Sequence, residues 1–339
     1  MPISTGPTDV RTAPPAAPAN QGAPAPVDPS APLLFVVNAK SGHDDREQSR
    51  RAIEAELKAA GRQAEFSVGP PETLPERARE AAAKAVATRS AVVAVGGDGT
   101  INSVAQEVHA ARGNMGFVPQ GTFNLFARTH GVPLEAGPAT RALLRSSPQP
   151  VQVGMINDQL FLVNASVGLY PDLLEDRESY KRRFGRNRIV AWISAFTTLT
   201  TTHRALHLAI EQDGKPRDVA TPTLFVGNNR LQLERVGLSV ASAIEEGSIA
   251  GVMLREASRW TLLKLLFKGT IGSLGEADTI ESFKFQRMVV AQRRGWRRRK
   301  SIKVAYDGEV TRMRGPLEFR VAPEPLYLLK LAGDGGARR

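Results

Sequence analysis

Short apolar runs alternate with helical patterns in the first half of this chain. Three runs consist almost wholly of apolar residues, as strands buried on both faces of a parallel sheet do, at residues 33–37, 91–95 and 115–118. Apolar residues three or four positions apart follow the first two runs, including Ile53 and Leu57 after one, and Ile101 and Val104 after the other. The alternation predicts an open α/β domain over residues 33–148.

The pattern changes after a turn at 133–138, a short helix at 139–144 and a break at Pro148 and Pro150. From there to residue 331 it predicts strands at 152–156, 159–164, 206–212, 223–227, 249–254, 288–292, 301–305 and 317–322. Amphipathic helical segments at 176–200 and 260–274 interrupt them. The expected fold class is therefore α/β plus mostly β. An N-terminal α/β nucleotide-binding domain precedes an antiparallel β-sandwich-like domain over residues 149–331.

Both ends of the chain differ in composition from the rest. Residues 1–32 are crowded with Pro and Ala and residues 332–339 lack apolar periodicity, so both are expected to be flexible tails. The sequence has neither the features of a signal peptide nor an apolar run of about twenty residues, which favours a cytoplasmic protein. It contains no cysteine, and therefore no disulfide or thiolate.

The formal net charge is +11. The densest basic cluster surrounds a tryptophan and consists of Arg293, Arg294, Trp296, Arg297, Arg298, Arg299 and Lys300. Basic residues attract anionic lipid headgroups and tryptophan favours the headgroup level, so the cluster is a candidate membrane surface. A solvated hairpin tip is the alternative. The chain carries no nucleic-acid recognition motif, and no nucleic-acid partner is expected.

Three glycines surround one carboxylate immediately after the second apolar run, at Gly96, Gly97, Asp98, Gly99 and Thr100. Glycines let a ligand approach the backbone closely, and the first turn of a helix offers free N–H groups to a phosphate. Thr100 is expected to cap that helix, and Asp98 is a candidate ligand of Mg²⁺.

Two further polar loops follow neighbouring predicted strands. Asn38, Lys40 and Ser41 come after the first run, and Thr122 and Asn124 come after the third. Ligands of open α/β sheets bind in the crevice above the carboxyl ends of the strands. The three loops together predict a nucleotide site.

The motifs GGDGT at 96–100, NAKSG at 38–42, GTFNLFAR at 121–128 and YDGE at 306–309 occur together. This combination resembles the diacylglycerol kinase catalytic-domain family, which includes sphingosine and ceramide kinases and bacterial soluble lipid kinases and is distantly related to NAD kinases. The resemblance extends over residues 33–331. It implies that ATP is held by Asn38, Ala39, Lys40, Ser41, Gly42, Ser67, Gly96, Gly97, Asp98, Gly99, Thr100, Asn102, Gly121, Thr122 and Asn124.

The resemblance also implies catalytic roles. The turn at 307–309 should fold back onto the cleft, with Glu309 as proton acceptor, Asp307 supporting the metal, and Asp98 acting on Mg²⁺ or on the acceptor hydroxyl. Bacterial members carry a structural Mg²⁺ loop with Asp-Gly in the second domain. Here the nearest stretch is 243–247, where Glu246 stands as the candidate ligand.

Two positions depart from the family pattern: Ala39 replaces the usual proline, and Leu125 stands where many members have aspartate. The expected function is ATP- and Mg²⁺-dependent phosphorylation of the hydroxyl of a membrane lipid, diacylglycerol or a related alcohol, by a peripherally membrane-associated enzyme. The alternatives are a sphingoid base or ceramide kinase, an NAD kinase-like soluble kinase, and a non-catalytic nucleotide-binding membrane regulator. Homodimerisation is compatible with the sequence.

Overall fold

The computed structural model describes residues 23–39, 43–169, 171, 205–255, 279–292 and 301–331. Several predicted features lie outside these residues: the helical segments at 176–200 and 260–274, the basic cluster at 293–300, and Lys40, Ser41 and Gly42.

The first sheet has six strands in the order β2-β1-β3-β4-β18-β5. The first four and β18 run parallel, and β5 pairs with β18 antiparallel. The bounds are Leu33–Asn38 for β1, Ala64–Gly69 for β2, Ala91–Gly96 for β3, Asn114–Pro119 for β4, Ser147–Val151 for β5 and Leu326–Lys330 for β18.

Helices cover both faces of this sheet, which explains why β1, β3 and β4 are apolar almost throughout. Apolar residues of α2 and α3 pack on one face with Val36 and Ala94, whereas residues of α1 and α5 pack on the other with Phe35 and Val95. The helices are α1 (His43–Ala59), α2 (Leu74–Ala87), α3 (Asp98–Ala111), α4 (Leu125–Thr129) and α5 (Ala136–Leu144).

Two antiparallel six-stranded sheets form the rest of the fold, in the orders β10-β9-β14-β17-β6-β7 and β13-β12-β11-β8-β15-β16. One apolar core unites them, with Phe161 and Phe319 from the first of these sheets and Val167 and Phe285 from the second. The sheets thus pack face to face, which confirms the predicted sandwich-like architecture.

The strands of these two sheets are β6 (Gly154–Ile156), β7 (Gln159–Phe161), β8 (Asn164–Gly168), β9 (Leu206–Gln212), β10 (Lys215–Thr221), β11 (Thr223–Gly227), β12 (Ile249–Leu254), β13 (Ile280–Phe285), β14 (Arg287–Gln292), β15 (Ser301–Tyr306), β16 (Glu309–Arg314) and β17 (Leu317–Val321). The single strand predicted at 159–164 is in fact β7 followed by the start of β8. Among the described residues, a further helix, α6 (Arg230–Arg235), follows β11. Short 3₁₀ helices occupy Pro71–Thr73 and Ser239–Ile244.

Two local expectations differ from the structure. The predicted break at Pro148 and Pro150 is strand β5, and its proline-rich sequence is tolerated because β5 lies at the edge of the sheet. Of the stretches predicted as flexible tails, 1–22 and 332–339 lie outside the described residues, whereas the described residues 23–32 are fixed to the first sheet and its helices: the carbonyl of Ala25 accepts a hydrogen bond from Asn114 and that of Pro32 accepts one from Ser90.

Strand β18 belongs to the stretch predicted as the second domain, yet it pairs with β4 in the first sheet. The chain therefore returns to the first sheet after completing the sandwich. Among the described helices, none combines the length and apolarity that crossing a bilayer demands.

Candidate functional site

The glycines of the loops that follow β3 and β4 allow those two loops to touch. A Cβ on Gly121 would come within 2.9 Å of the Cα of Gly97, and a Cβ on Gly96 would lie 2.5 Å from Oγ1 of Thr100. The amide of Gln120 also donates to the carbonyl of Gly96 at 2.7 Å. Side chains at these positions would force the loops apart, so the glycines set the close packing at the carboxyl ends of β3 and β4.

Thr100 does not cap α3 as the sequence suggested. Gly97 is the N-cap residue, in an extended conformation, and Thr100 lies inside the first turn with 5% of its surface exposed. Its Oγ1 accepts a hydrogen bond of 3.1 Å from Nδ2 of Asn38. Thr100 therefore ties the end of β1 to the start of α3.

Asp98 faces the first turn of α4. Backbone N–H groups of Asn124, Leu125 and Phe126 donate to its carboxylate. Burial raises the pKa of Asp98, and these three hydrogen bonds oppose the rise. Its Oδ1 atom is buried and has no hydrogen-bond partner within the described part of the chain.

Asn124 closes the loop that reaches Asp98. Its Oδ1 accepts from the amide of Gly121 at 2.9 Å, and its Nδ2 donates to the carbonyl of the same glycine at 2.8 Å. Its backbone has a φ of 47°, in the left-handed region that asparagine tolerates well. The side chain is thus engaged within its own loop, so its predicted contact with a ligand is replaced by a structural role.

The carboxylate of Asp307 is saturated with donors. Its Oδ2 accepts from Nδ2 of Asn102 and from the amide of Leu162, both at 2.6 Å. Its Oδ1 accepts from the amides of Val163 and Asn164, at 2.8 and 3.0 Å. The backbone of Asp307 lies in the turn while its carboxylate points inward, and burial raises its pKa to about 6 against the effect of these four bonds.

Four donors fill the lone pairs of the Asp307 carboxylate, which leaves no oxygen free to ligate Mg²⁺. The structure thus gives no support to the predicted metal role of Asp307, and its four hydrogen bonds anchor the turn between β15 and β16. Asn102 shares this role: its amide also donates to the carbonyl of Leu160 at 3.1 Å, so it joins α3 to the sandwich instead of reaching a nucleotide through that group.

The turn anchored by Asp307 places Glu309 above the first turn of α3. A Cβ on Gly99 would lie 3.3 Å from Oε1 of Glu309, although the two residues are 210 positions apart. Glu309 is exposed, so its carboxylate remains accessible to a ligand. Burial raises the pKa of the neighbouring Tyr306, and the negative charges of Glu309 and Asp307 raise it further.

A cleft of about 650 Å³ lies between the first sheet and this turn. Its polar wall includes Asn38, Thr100 and Glu309, and its other end is formed by Pro71, Leu74 and Pro75. Such a volume falls in the range of small-molecule sites. Six of the sequence-predicted residues line it: Asn38, Gly97, Gly99, Thr100, Asn102 and Glu309.

Other predicted residues lie elsewhere. Ser67 is in β2 opposite Val36, and Ala39 donates its amide to the carbonyl of Gly69 at 2.8 Å. Thr122 is exposed in the loop after β4. Lys40, Ser41 and Gly42 lie outside the described residues.

Glu246 is also separate from the cleft. Lys284 forms an ion pair with its Oε2, and the described residues contain no group of three or more histidine or acidic side chains arranged to hold a metal. The predicted structural Mg²⁺ site at Glu246 is not formed by these residues.

Sequence reasoning missed Arg77, which holds the carboxyl ends of β1 and β2 together. Its guanidinium donates to the carbonyls of Val37 at 3.1 Å, Ser67 at 2.8 Å and Gly69 at 3.0 Å. Nothing in the sequence distinguishes it from Arg79, the other arginine of α2, because its role depends on the approach of two separate strand ends.

The residues fit a divalent metal at one point. The buried, unpartnered Oδ1 of Asp98 is a hard oxygen donor of the kind that Mg²⁺ prefers. Asp98 is therefore the residue of this site that would hold such an ion.

Comparison with known proteins agrees with this geometry. Residues 32–156 match the family described as "Diacylglycerol kinase catalytic domain". The chain is 44% identical over 81 residues to a probable lipid kinase YegS-like protein of Pseudomonas putida, covering 23% of this chain and 27% of that one. It is 32% identical over 190 residues to a diacylglycerol kinase of Bacillus subtilis, covering 52% of this chain and 59% of that one.

The matched stretches thus span less than two thirds of the length of these relatives. A solved structure of a diacylglycerol kinase from Bacillus anthracis shares the fold, with a TM-score of 0.64 at 18% identity, over 88% of this chain and 96% of that one. The family match over residues 32–156 begins just before β1 and ends with β6. It therefore contains all three polar loops of the first sheet. Residues 32–156 of this chain are therefore similar to the diacylglycerol kinase catalytic domain.

Proposed function

We propose that this protein is an ATP-dependent lipid kinase that transfers the γ-phosphate to the hydroxyl of a membrane lipid, diacylglycerol or a related lipid alcohol. The observation that carries the proposal is the position of Glu309. A carboxylate from the sandwich lies over Gly99, at the helix start where backbone N–H groups are free to bind phosphate.

Phosphoryl transfer requires positioning, charge neutralisation and a proton acceptor near the attacking hydroxyl. The backbone amides of the first turn of α3 would bind phosphate oxygens, with Asn38 and Thr100 fixing the loop that presents them. Glu309 is exposed in the cleft and would accept the proton of the lipid hydroxyl as the bond to phosphorus forms.

Mg²⁺ held by Asp98 would neutralise charge on the phosphates. Burial raises the pKa of Asp98, and the hydrogen bonds from residues 124–126 oppose this rise and so favour the ionised form that a metal ligand requires. At the far end of the cleft, Pro71, Leu74 and Pro75 supply an apolar wall suited to the nucleobase.

A membrane lipid must be collected at a bilayer surface. The net charge of +11 favours an anionic surface, and peripheral attachment is part of the proposal. A sphingoid base or ceramide kinase, the alternatives to this proposal, would differ from it only in the lipid that accepts the phosphate.

The test is transfer of labelled γ-phosphate from ATP with Mg²⁺ to diacylglycerol, monoacylglycerol, sphingosine, ceramide and NAD in mixed micelles. We expect a labelled lipid from the unaltered protein and a loss of kcat of about 10²- to 10⁴-fold in Glu309→Gln, the range typical of a general base. Glu80→Gln is the matched control, since Glu80 is an exposed glutamate on α2 outside the cleft.

Binding of ATP should survive in Glu309→Gln, which separates loss of chemistry from loss of the site. If the label appears only in NAD, the proposed acceptor would change from a membrane lipid to a soluble molecule. ATP binding with no labelled product would favour the non-catalytic regulator.

A further inference from the structure

A second cavity, of about 350 Å³, lies on another side of the first sheet. It is bounded by the carboxyl ends of β4 and β18 and by α4 and α5, and its lining shares no residue with the cleft that holds Glu309. Its walls are largely apolar, with Phe117, Val132, Leu143 and Leu329 among them. Leu331, at 47% exposure, is one of the lining residues and is among the most exposed large apolar side chains of the described chain.

The charged and titratable groups of this cavity are all nitrogen bases. Lys330 and His130 line it, and its lining includes no aspartate or glutamate. Lys330 has no ion-pair partner among the described residues. Burial, and to a smaller extent the charge of Lys330, lowers the pKa of His130 to about 3. The imidazole is therefore neutral near pH 7 and offers one N–H.

The other polar side chains of the cavity already have partners. Oγ of Ser146 donates to the carbonyl of Ala142 at 2.8 Å, and Oγ1 of Thr129 donates to Leu125 and accepts from Asn229. Nε2 of Gln149 donates to the carbonyls of Lys330 and Leu331. Lys330 and His130 thus remain as groups able to receive a ligand.

An apolar pocket with one unpaired cation and one neutral donor is complementary to a chain with an anionic head. We infer that this cavity binds a single-chain amphiphilic anion, with its headgroup at Lys330 and His130 and its alkyl chain against Leu143, Leu329 and Phe117. A carboxylate and a phosphate headgroup share this chemistry.

The cavity is connected to Asp98 through α4. The rings of His130 and Phe126 meet edge to face with centroids 4.5 Å apart, and the amide of Phe126 donates to Asp98. A ligand at His130 would therefore contact the helix whose first turn holds the proposed metal ligand.

The test is calorimetric titration of the full chain, without nucleotide, with decanoate and decyl phosphate. Decanol and decyltrimethylammonium serve as neutral and cationic probes of equal chain length. We expect both anions to bind at least tenfold more tightly than decanol or the cation. The tighter of the two anions identifies the headgroup.

Lys330→Gln and His130→Gln should each weaken anion binding, the former at least tenfold, and Ala142→Leu should abolish it by filling the cavity. Lys58→Gln is the matched control, since Lys58 is an exposed lysine on α1. Glu309→Gln should bind the anions unchanged, because Glu309 belongs to the other cleft.

Anion binding that is equal in the unaltered protein and in Lys330→Gln, with both folded by circular dichroism, would overturn the inference, as would equal affinity for decanol. Since the titration contains no nucleotide, either result would leave the proposed phosphoryl transfer standing.

Discussion

Gly99 lies where the helix start and the proposed proton acceptor meet. It is the second residue of α3, and a Cβ there would lie 3.3 Å from Oε1 of Glu309. Alanine favours helix over glycine by up to about 1 kcal/mol. The same methyl group would displace Glu309 and cover the amides that face the cleft.

We therefore expect Gly99→Ala to leave the free energy of unfolding unchanged or slightly raised while kcat/KM for the lipid kinase reaction falls at least tenfold. Denaturant unfolding and the phosphate-transfer assay measure the two quantities. Gly137→Ala is the control, because Gly137 is also within a helix and a Cβ there would meet no atom closer than 3.9 Å. Full activity in Gly99→Ala would contradict the placement of Glu309.

Asp307 and Glu309 are two residues apart but have opposite environments. Asp307 accepts four hydrogen bonds in the interior, so Asp307→Asn would turn an amide NH₂ towards two buried donors. A buried donor without a partner costs about 1–3 kcal/mol, and we expect a loss of stability of at least that size.

Denaturant unfolding of Asp307→Asn measures this loss. Asp158→Asn, in the exposed turn between β6 and β7, should change stability by less than about 0.5 kcal/mol. Because Asn102 donates to Asp307, the loss in Asn102→Ala combined with Asp307→Asn should be smaller than the sum of the two single losses. An additive result would show that the two side chains do not interact in solution.

At the scale of elements, α4 carries a titratable group whose charge is suppressed. The pKa of His130 is lowered from 6.5 to about 3 by burial and by Lys330. The unfolded chain takes up this proton near pH 6.5 and the folded chain does not. The stability contributed by the neutral imidazole is thus complete above pH 6.5 and is lost as the pH falls towards 3.

We expect unfolding free energy to fall by about 1–2 kcal/mol more between pH 7 and pH 5 in the unaltered protein than in His130→Gln. Urea unfolding at several pH values measures the difference. His207→Gln, at an exposed position of β9, should keep the slope of the unaltered protein. Identical slopes in all three proteins would show that His130 takes up a proton while folded.

Arg77 acts between elements, since its guanidinium bridges the ends of β1 and β2. A lysine carries the charge but lacks the planar set of donors that reaches three carbonyls at once. We expect Arg77→Lys to raise the KM for ATP several-fold with a smaller change in kcat, because Asn38 at the end of β1 loses its fixed position.

Steady-state kinetics at varied ATP concentration measure this change. Arg51→Lys, with a side chain 76% exposed on α1, should behave as the unaltered protein. A fall in kcat at constant KM would show that Arg77 affects the chemical step and not the positioning of the nucleotide.

At the scale of the whole molecule, β18 makes the two parts of the fold interdependent. It lies between β4 and β5, and its Leu326 and Leu328 are 1% and 0% exposed. A chain that stops after residue 323 would expose the edge of β4 and remove these side chains from the core. We expect it to lose cooperative unfolding, although it contains every motif residue.

Thermal unfolding followed by circular dichroism tests this expectation, with a chain ending at residue 331 as control. A cooperative transition in the shorter chain would mean that the first sheet is complete without β18.

The strands that pattern analysis found and those that it missed differ in position. Strands β1 and β3 were found because nearly all their residues are apolar, and β9 and β11 because alternate residues are apolar. Five of the missed strands, β2, β5, β10, β13 and β16, lie at sheet edges, whereas β18 and most of β8 were also missed and lie inside their sheets. Edge strands carry polar or proline-containing sequences, and the neighbouring strand, not the local pattern, decides that they pair.

The sequence by itself determined the location of the three polar loops. Glycines and polar residues directly after buried strands can lie only at the carboxyl edge of a parallel sheet, and family resemblance indicated that the turn at 307–309 joins them. It also determined the division into an α/β part and a mostly β part, because the two kinds of apolar periodicity differ.

Only the tertiary structure decided what each polar side chain does there. Asp307, Asn124 and Asn102 are as polar as Glu309, but buried donors and acceptors engage them, whereas Glu309 remains exposed above Gly99. The partner of Asn124 is only three positions away, whereas Asn102 and Asp307 are 205 positions apart, so no local pattern could pair them. The same holds for Arg77 and β18, whose roles exist only when distant strands have paired.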